Sequence, residues 1–155
     1  MEGNVRGIQM KKEFVMRGQT ASGLSEVLNF SGYKPGYAYR MTEFTLYPST
    51  NVLGQNVEMC GTVTASKTAE DPENPNYNNA GLIGTTITKN DSSHTYAGYH
   101  LSVVNDTFLI TQNLKLLIKD AFSNPVNWQC RFVSVKMNDA EEAATNFKQF
   151  TISDE

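Results

Sequence analysis

Few residues in this sequence have the side chains that nucleophilic or metal chemistry needs. The chain has two histidines, His94 and His100, and two cysteines, Cys60 and Cys130. It contains no His-x-His pair, no Cys-x-x-Cys pair and no Gly-x-Ser-x-Gly segment, so a transition-metal site or a serine-histidine dyad would need residues from distant positions. We interpret His94 and nearby Asp91 as a turn pair, and we predict no catalytic, cofactor-binding or metal-binding residue.

The long polar segment EDPENPNYNNAG, residues 70–81, offers oxygen atoms that could bind Ca²⁺, from Asp71, Glu73 and several asparagines. The ligand alternation of an EF-hand loop is missing, so we favour a polar loop without a metal. Long loops in compact domains tend to be functional or disordered. Two hypotheses follow: the loop contacts a neighbouring subunit through Tyr77, or it is mobile and faces solvent.

A second candidate surface is the segment SGYKPGYAYR, residues 31–40, where Tyr33, Tyr37, Tyr39 and Arg40 combine aromatic rings with positive charge. Such a group stacks sugars or bases, or anchors a protein partner. In the alternative, which we favour, the Lys-Pro-Gly sequence forms a turn and Tyr37 and Tyr39 pack inside the domain.

The two cysteines lie in segments with the alternation of strands, NVEMCGTV for Cys60 and NWQCRFVSV for Cys130. One disulfide is arithmetically possible. Nothing else in the sequence indicates an oxidising compartment, so we favour two buried free thiols.

The composition indicates one folded domain over residues 1–155, with 39% hydrophobic and 19% charged residues. The formal net charge of −3 argues against a nucleic-acid surface, which needs clustered Lys and Arg. No apolar run is long enough to span a bilayer, and the N-terminal segment lacks the apolar core of a secretory signal. We expect no membrane partner and a chain that stays in the cytosol of the producing cell.

Apolar and polar residues alternate through most of the chain, which in a strand places successive side chains on opposite faces. Turn-forming segments such as GYKPG, YPSTN and FSNPVN separate the alternating stretches. Eight or nine short antiparallel strands therefore predict an all-β sandwich, similar to a jelly roll. The predicted strands lie near residues 7–16, 26–30, 37–47, 56–65, 82–88, 95–104, 107–111, 113–122 and 127–137.

Several details of these strands can be predicted. The apolar positions shift by one residue between Met41 and Phe44, which indicates a β-bulge near Thr42 and Glu43. In each of four later strands, alternate residues that are mostly apolar share one face. These sets are Ile83, Thr85 and Ile87; Tyr99, Leu101 and Val103; Leu114, Leu116 and Ile118; and Trp128, Cys130 and Phe132.

The C-terminal segment NDAEEAATNFKQF predicts a short helix. Asp139 and Glu142 have the spacing of an N-cap pair, and Ala143, Phe147 and Phe150 fall on one side. We favour the hypothesis that the two phenylalanines close the end of the core; the alternative is that they dock on a neighbouring subunit.

We expect both chain termini to be extended arms that become ordered only on assembly. This expectation applies to residues 1–6 and 151–155.

Two stretches, PGYAYRMTEFTLYPS and the region from Val104 to Ala143, resemble a group of small β-sandwich proteins associated with the virions of tailed, notably marine, bacteriophages. The shared pattern has an aromatic-proline turn, here Tyr47-Pro48, and a short strand followed by a Thr-x-x-Leu-x-Ile type segment, here Thr111 to Leu116. An asparagine-containing turn follows at Asn124 to Asn127, and the final strand begins with the aromatic Trp128.

This resemblance implies a non-enzymatic structural protein of the virion, either a capsid decoration (cement) protein or a minor capsid protein. Its partner would be the major capsid protein or another virion protein, and the chain would form a homo-oligomer, with a trimer favoured. It would assemble in the host cytoplasm. The predicted interface residues are Tyr33, Tyr37, Arg40, Tyr77, Phe147 and Phe150. The alternative function is a carbohydrate-binding module, which requires Tyr33, Tyr37 or Tyr39 to face solvent.

Overall fold

A computed structural model describes residues 12–30, 35–50, 52–53, 56–90 and 98–153 of the chain. Eight strands and one helix follow one another in this part. Their bounds are β1 Glu13–Thr20, β2 Ser25–Leu28, β3 Tyr37–Pro48, β4 Val57–Thr64, β5 Leu82–Asn90, β6 Tyr99–Val104, β7 Leu114–Asp120, β8 Val126–Lys136 and α1 Asp139–Ser153.

The strands form two antiparallel sheets. The small sheet has the order β1-β8-β3, and the large sheet has the order β2-β7-β4-β5-β6. Strand β3 lies against β5 and β6, and β1 lies near β2, so the two sheets pack face to face. The predicted antiparallel sandwich with a C-terminal helix is confirmed.

The core lies between the sheets and is built from alternate residues of the strands, as expected for two half-buried faces. The predicted inward sets of β7 and β8 are confirmed, since Leu116, Ile118 and Phe132 are fully buried. The predicted bulge is also confirmed, because the pairing of β3 with β8 shifts between Met41 and Glu43. This extra residue allows both Met41 and Phe44 to reach the core.

Phe44 packs where two strands of the opposite sheet carry glycine. A Cβ atom on Gly61 would lie 3.1 Å from Phe44 Cζ, and one on Gly84 would lie 3.4 Å from Phe44 Cδ2. Glycine in a strand interior commonly marks such a close approach. The ring of Phe44, together with the Met41 side chain beside Gly84, therefore fills the space that side chains on β4 and β5 would otherwise occupy.

Two strand predictions differ from the structure. The first strand begins at Glu13 and continues to Thr20, because its second half pairs with β8; the part of the prediction up to residue 11 lies outside the described residues. The segment 107–111 is a loop with one isolated bridge, between Ile110 and Tyr39. Its alternation arises because Phe108 and Ile110 are buried and anchor the loop to the core.

The helix cap lies one residue earlier than predicted. Asn138 Oδ1 accepts a hydrogen bond from Glu141 N at 2.8 Å, and Asn138 N donates to Glu141 Oε1 at 3.0 Å. This reciprocal pair is a capping box. Glu142 takes no part in this cap. Its carboxylate instead accepts a hydrogen bond from the backbone N–H of Gly36.

The far end of α1 does not match the favoured hypothesis of a core plug. Phe147 is 71% exposed, so it does not close the core, whereas the side chain of Phe150 lies outside those described. Residues 151–153 form the last turn of α1, and the two other predicted arm segments, 1–6 and 154–155, lie outside the described residues.

Candidate functional site

The apolar face of β6 points away from the core. Ser102 and Val104 lie opposite Thr86 and Gly84 of β5, and Ser102 Oγ donates a hydrogen bond of 2.7 Å to the backbone oxygen of Phe44 in the small sheet. The other face of β6 is therefore the outer face. Its residues are Tyr99, Leu101 and Val103, which are 55%, 59% and 42% exposed.

The loop of residues 65–81, which joins β4 to β5, folds over the same outer face of the large sheet. Thr62 Oγ1 donates to the backbone oxygen of Glu70 at 2.6 Å, and Thr64 Oγ1 accepts from Glu70 N at 3.0 Å. Both threonines are fully buried. The loop is therefore attached to its own sheet and is not detached in solvent.

Hydrogen bonds within the loop use the carboxylate oxygens of Glu70 and of Asp71, one of the possible Ca²⁺ ligands. Glu70 Oε2 accepts from Asn76 N at 2.6 Å, Glu70 Oε1 accepts from Asn79 Nδ2 at 2.7 Å, and Asp71 Oδ1 accepts from Glu73 N at 3.0 Å. Across the described ranges, no group of three or more His, Cys, Asp or Glu side chains could hold a metal ion. The carboxylates act as the internal caps of a folded loop.

A cation from β7 forms ion pairs with two carboxylates of this loop. Lys119 Nζ lies 2.9 Å from Glu73 Oε1 and 3.4 Å from Asp71 Oδ1. The hydrogen bond from the Glu73 amide, followed by those from Asn74 and Lys119, lowers the pKa of Asp71. The hydrogen bond to Glu73 raises the pKa of Lys119. We call these three residues, Asp71, Glu73 and Lys119, the Lys119 clamp.

Both cysteines are free thiols, as predicted, but only Cys130 is fully buried. Cys60 is half-buried beneath the loop, and burial, together with the nearby charge of Glu73, raises its pKa to about 11. Cys130 is buried in the core, and burial alone raises its pKa. Because the thiolate is the reactive form, neither thiol is activated as a nucleophile at neutral pH.

Tyr77 connects the loop to β5, the neighbour of β6 in the large sheet. Its ring is exposed, and its hydroxyl group is hydrogen-bonded to that of Thr85 on β5. Tyr77, Thr85 and Val103 line one shallow groove on the outer face. We use the term β6 surface for the continuous group of Tyr77, Tyr99, Leu101 and Val103.

The other predicted interface residues lie elsewhere. Tyr37 is exposed at the start of β3, and Arg40 is half-buried, with an Nε atom that has no hydrogen-bond partner in the described part of the chain. Tyr33 lies outside the described residues. Tyr37 and Arg40 belong to the small sheet, whereas Tyr77 lies over the large sheet.

The tyrosines of the predicted aromatic cluster differ in burial. The ring of Tyr39 packs against Phe14 and Phe30, with centroid distances of 5.6 and 5.3 Å. The favoured interpretation, that the tyrosines pack inside the domain, is therefore confirmed for Tyr39 and wrong for Tyr37, which is exposed.

A polar groove on the small sheet was not apparent from the sequence. Arg17, Thr45, Tyr47, Asn127 and Gln129 line it. These residues come from three strands, and only the strand register places them side by side. The exposed ring of Tyr47 beside amide and guanidinium groups is a suitable surface for a sugar.

No protein-family model and no curated protein matches the chain. In the part of the chain that the structure covers, no helix is long and apolar enough to cross a membrane. Function is therefore inferred from the surfaces themselves.

Proposed function

We propose that this chain is a structural, non-enzymatic protein of a phage virion, acting as a capsid decoration protein or a minor capsid protein. The observation that carries the proposal is the β6 surface, a continuous set of exposed apolar side chains on a sandwich. Contiguous apolar surface on a soluble domain typically marks a protein-binding site. The resemblance of the sequence to virion-associated sandwich proteins supports the proposal that this binding takes place in a phage virion.

The β6 surface is suited to binding a protein because it is held in place before the partner arrives. The loop is attached by Thr62 and Thr64, Lys119 ties its carboxylates to β7, and the Tyr77 hydroxyl group is bonded to Thr85. Ordering side chains on binding costs free energy, so a surface that is already ordered binds more tightly. Large aromatic side chains such as those of Tyr77 and Tyr99 are frequent binding hot spots.

The proposed partner is the major capsid protein or another virion protein, and the proposed location is the virion after assembly in the host cytoplasm. A homo-oligomer also belongs to this proposal. A trimer would need a head-to-tail contact between two different patches of the chain, because only a two-fold contact pairs a patch with itself.

The test uses purified phage particles and two matched tyrosine variants. Tyr77 and Tyr47 are 61% and 62% exposed, so Tyr77→Ala and Tyr47→Ala remove equal amounts of surface ring from opposite faces of the sandwich. We expect the wild-type chain to co-sediment with particles at a fixed stoichiometry, Tyr77→Ala to lower occupancy at least fivefold, and Tyr47→Ala to bind as the wild type does. A chain found only in the lysate and never on particles would contradict the proposal.

The groove on the small sheet supports a second candidate function, binding of a carbohydrate. An exposed aromatic ring stacks against a sugar, and nearby amide and guanidinium groups hydrogen-bond its hydroxyl groups. This candidate replaces the predicted site at Tyr33, Tyr37 and Tyr39 with one at Tyr47 and Arg17. It predicts glycan-array signals that Tyr47→Ala abolishes and Tyr77→Ala leaves unchanged. An array without signals would eliminate it.

A further inference from the structure

Strand β6 ends the large sheet, and one side of its backbone has no partner strand among the described residues. Asn105 N donates to Ile83 O at 2.7 Å, and hydrogen-bonded pairs alternate along an antiparallel ladder. The odd-numbered residues of β6 are therefore bonded to β5, and the N–H and C=O groups of His100 and Ser102 point to the free edge. Among the described residues, no backbone hydrogen bond joins β6 to any segment other than β5 and its continuation at Ile83.

The other three sheet edges carry features that prevent pairing with a second chain. Strand β2 is only four residues long and contains Glu26, and β1 contains Glu13 and Arg17. Strand β3 has a bulge, ends at Pro48 and is bridged by Ile110. Short length, charge, proline and bulges are the usual protections of edge strands.

Strand β6 has none of these protections. Its sequence, YHLSVV, contains no Lys, Arg, Asp, Glu or Pro, and its pairing with β5 is regular. The imidazole of His100 is hydrogen-bonded to Thr88 Oγ1 at 2.8 Å. Self-pairing places identical residues near one another, so a strand without formal charge avoids the repulsion that self-pairing of the other edges would create.

We propose that β6 pairs with β6 of a second copy of this chain, antiparallel and centred on Leu101, so that two large sheets become one continuous sheet. In this register His100 of one copy exchanges backbone hydrogen bonds with Ser102 of the other. On the outer face Leu101 lies opposite its own copy, and Tyr99 lies opposite Val103. Aromatic and β-branched residues form favourable cross-strand pairs.

This pairing is isologous and produces a dimer, in contrast to the trimer that the resemblance favours. It joins the two β6 surfaces side by side across the two-fold axis. The inference does not depend on a virion setting, since it needs only a second copy of the chain.

Oligomeric mass tests the pairing with two matched lysine variants. Leu101 and Val27 are 59% and 55% exposed, on opposite edge strands of the same sheet. Leu101→Lys places two like charges against each other on the two-fold axis, whereas Val27→Lys changes the uninvolved edge. By light scattering coupled to size exclusion, we expect the mass of a dimer for the wild type and for Val27→Lys. For Leu101→Lys we expect the dimer dissociation constant to rise at least tenfold. A wild type that stays monomeric, or has three chain masses, would overturn the proposal.

A cysteine variant gives an independent result if Leu101→Lys fails to fold. Directly opposed, non-hydrogen-bonded residues have Cβ atoms about 4.5–5.5 Å apart, close to the separation that a disulfide spans. Under mild oxidation Leu101→Cys is expected to form a covalent dimer, and Val27→Cys is expected to remain a single chain. A dimeric Leu101→Cys protein that does not cross-link would place the two-fold axis elsewhere and reject this pairing.

Discussion

Three buried threonines of the large sheet differ in the bonds of their hydroxyl groups. Thr62 and Thr64 bond to the backbone of Glu70 in the loop, whereas Thr86 Oγ1 is buried in the core with no partner in the described part of the chain. A buried hydroxyl group without a partner loses its bonds to water and gains nothing in return. The threonine hydroxyl group therefore stabilises the fold at positions 62 and 64 and destabilises it at position 86.

Valine substitutions separate these two cases because valine has nearly the same shape as threonine. Thr86→Val removes an unsatisfied group, and we expect it to raise the free energy of unfolding by about 1 kcal/mol. Thr62→Val leaves the Glu70 carbonyl without its donor, and we expect it to lower that free energy by about 1–3 kcal/mol. Urea denaturation measures both values. Equal destabilisation by the two variants would show that Thr86 has a partner.

At the scale of elements, the loop of residues 65–81 determines how the outer face of the large sheet is used. The sequence predicted a long polar loop and left open whether Tyr77 contacts a neighbour or moves in solvent. The attachment of the loop depends on Thr62, Thr64 and Lys119, which lie on β4 and β7. These contacts bring together residues far apart in the chain, so local alternation and turn signals do not contain them.

The Lys119 clamp gives loop attachment a definite pH range. The pKa of Asp71 is lowered from 3.8, so its contribution is present above that value and is lost as the pH falls further. The pKa of Lys119 is raised from 10.5, so its contribution is present below that value and is lost as the pH rises further.

We therefore expect hydrogen exchange of the loop amides, corrected for intrinsic rates, to be slowest between pH 3.8 and 10.5. Lys119→Met should accelerate exchange at the Glu70 and Asn76 amides within this range. Lys115→Met, on the same outer face of β7, is the control and should leave both rates unchanged. Equal rates in the wild type and Lys119→Met would show that the clamp does not hold the loop.

At the scale of the whole molecule, the sequence predicts the sandwich because its central strands bury one complete face. In β7 and β8, Leu116, Ile118 and Phe132 alternate with half-buried residues, and the structure matches this period. In β6 the alternation likewise places Tyr99, Leu101 and Val103 on one face. Alternation alone does not show whether that face points to the core or to solvent. Ser102 turns inward because its hydroxyl group bonds to the Phe44 carbonyl of the other sheet, and this leaves Leu101 outside.

The candidate surfaces were less predictable than the fold. The position of Tyr77 in the loop marks it as a candidate in the sequence, whereas Leu101 and Val103 show only the alternation of a strand. The groove around Tyr47 depends on the register of three strands. A surface assembled from alternate residues of different strands requires a pairing scheme, which a single sequence does not supply.

The central claim is that the free edge and outer face of β6 become covered when the chain assembles. Residue-resolved hydrogen exchange at the His100 and Ser102 amides, compared between a dilute and a concentrated solution, tests it most directly. Both amides point to the edge that has no partner in the described part of the chain, so they should exchange rapidly in dilute solution and at least tenfold more slowly in concentrated solution. The Leu101→Lys variant should exchange rapidly at both concentrations. Equal exchange of the wild type at both concentrations, up to the solubility limit, would contradict the account.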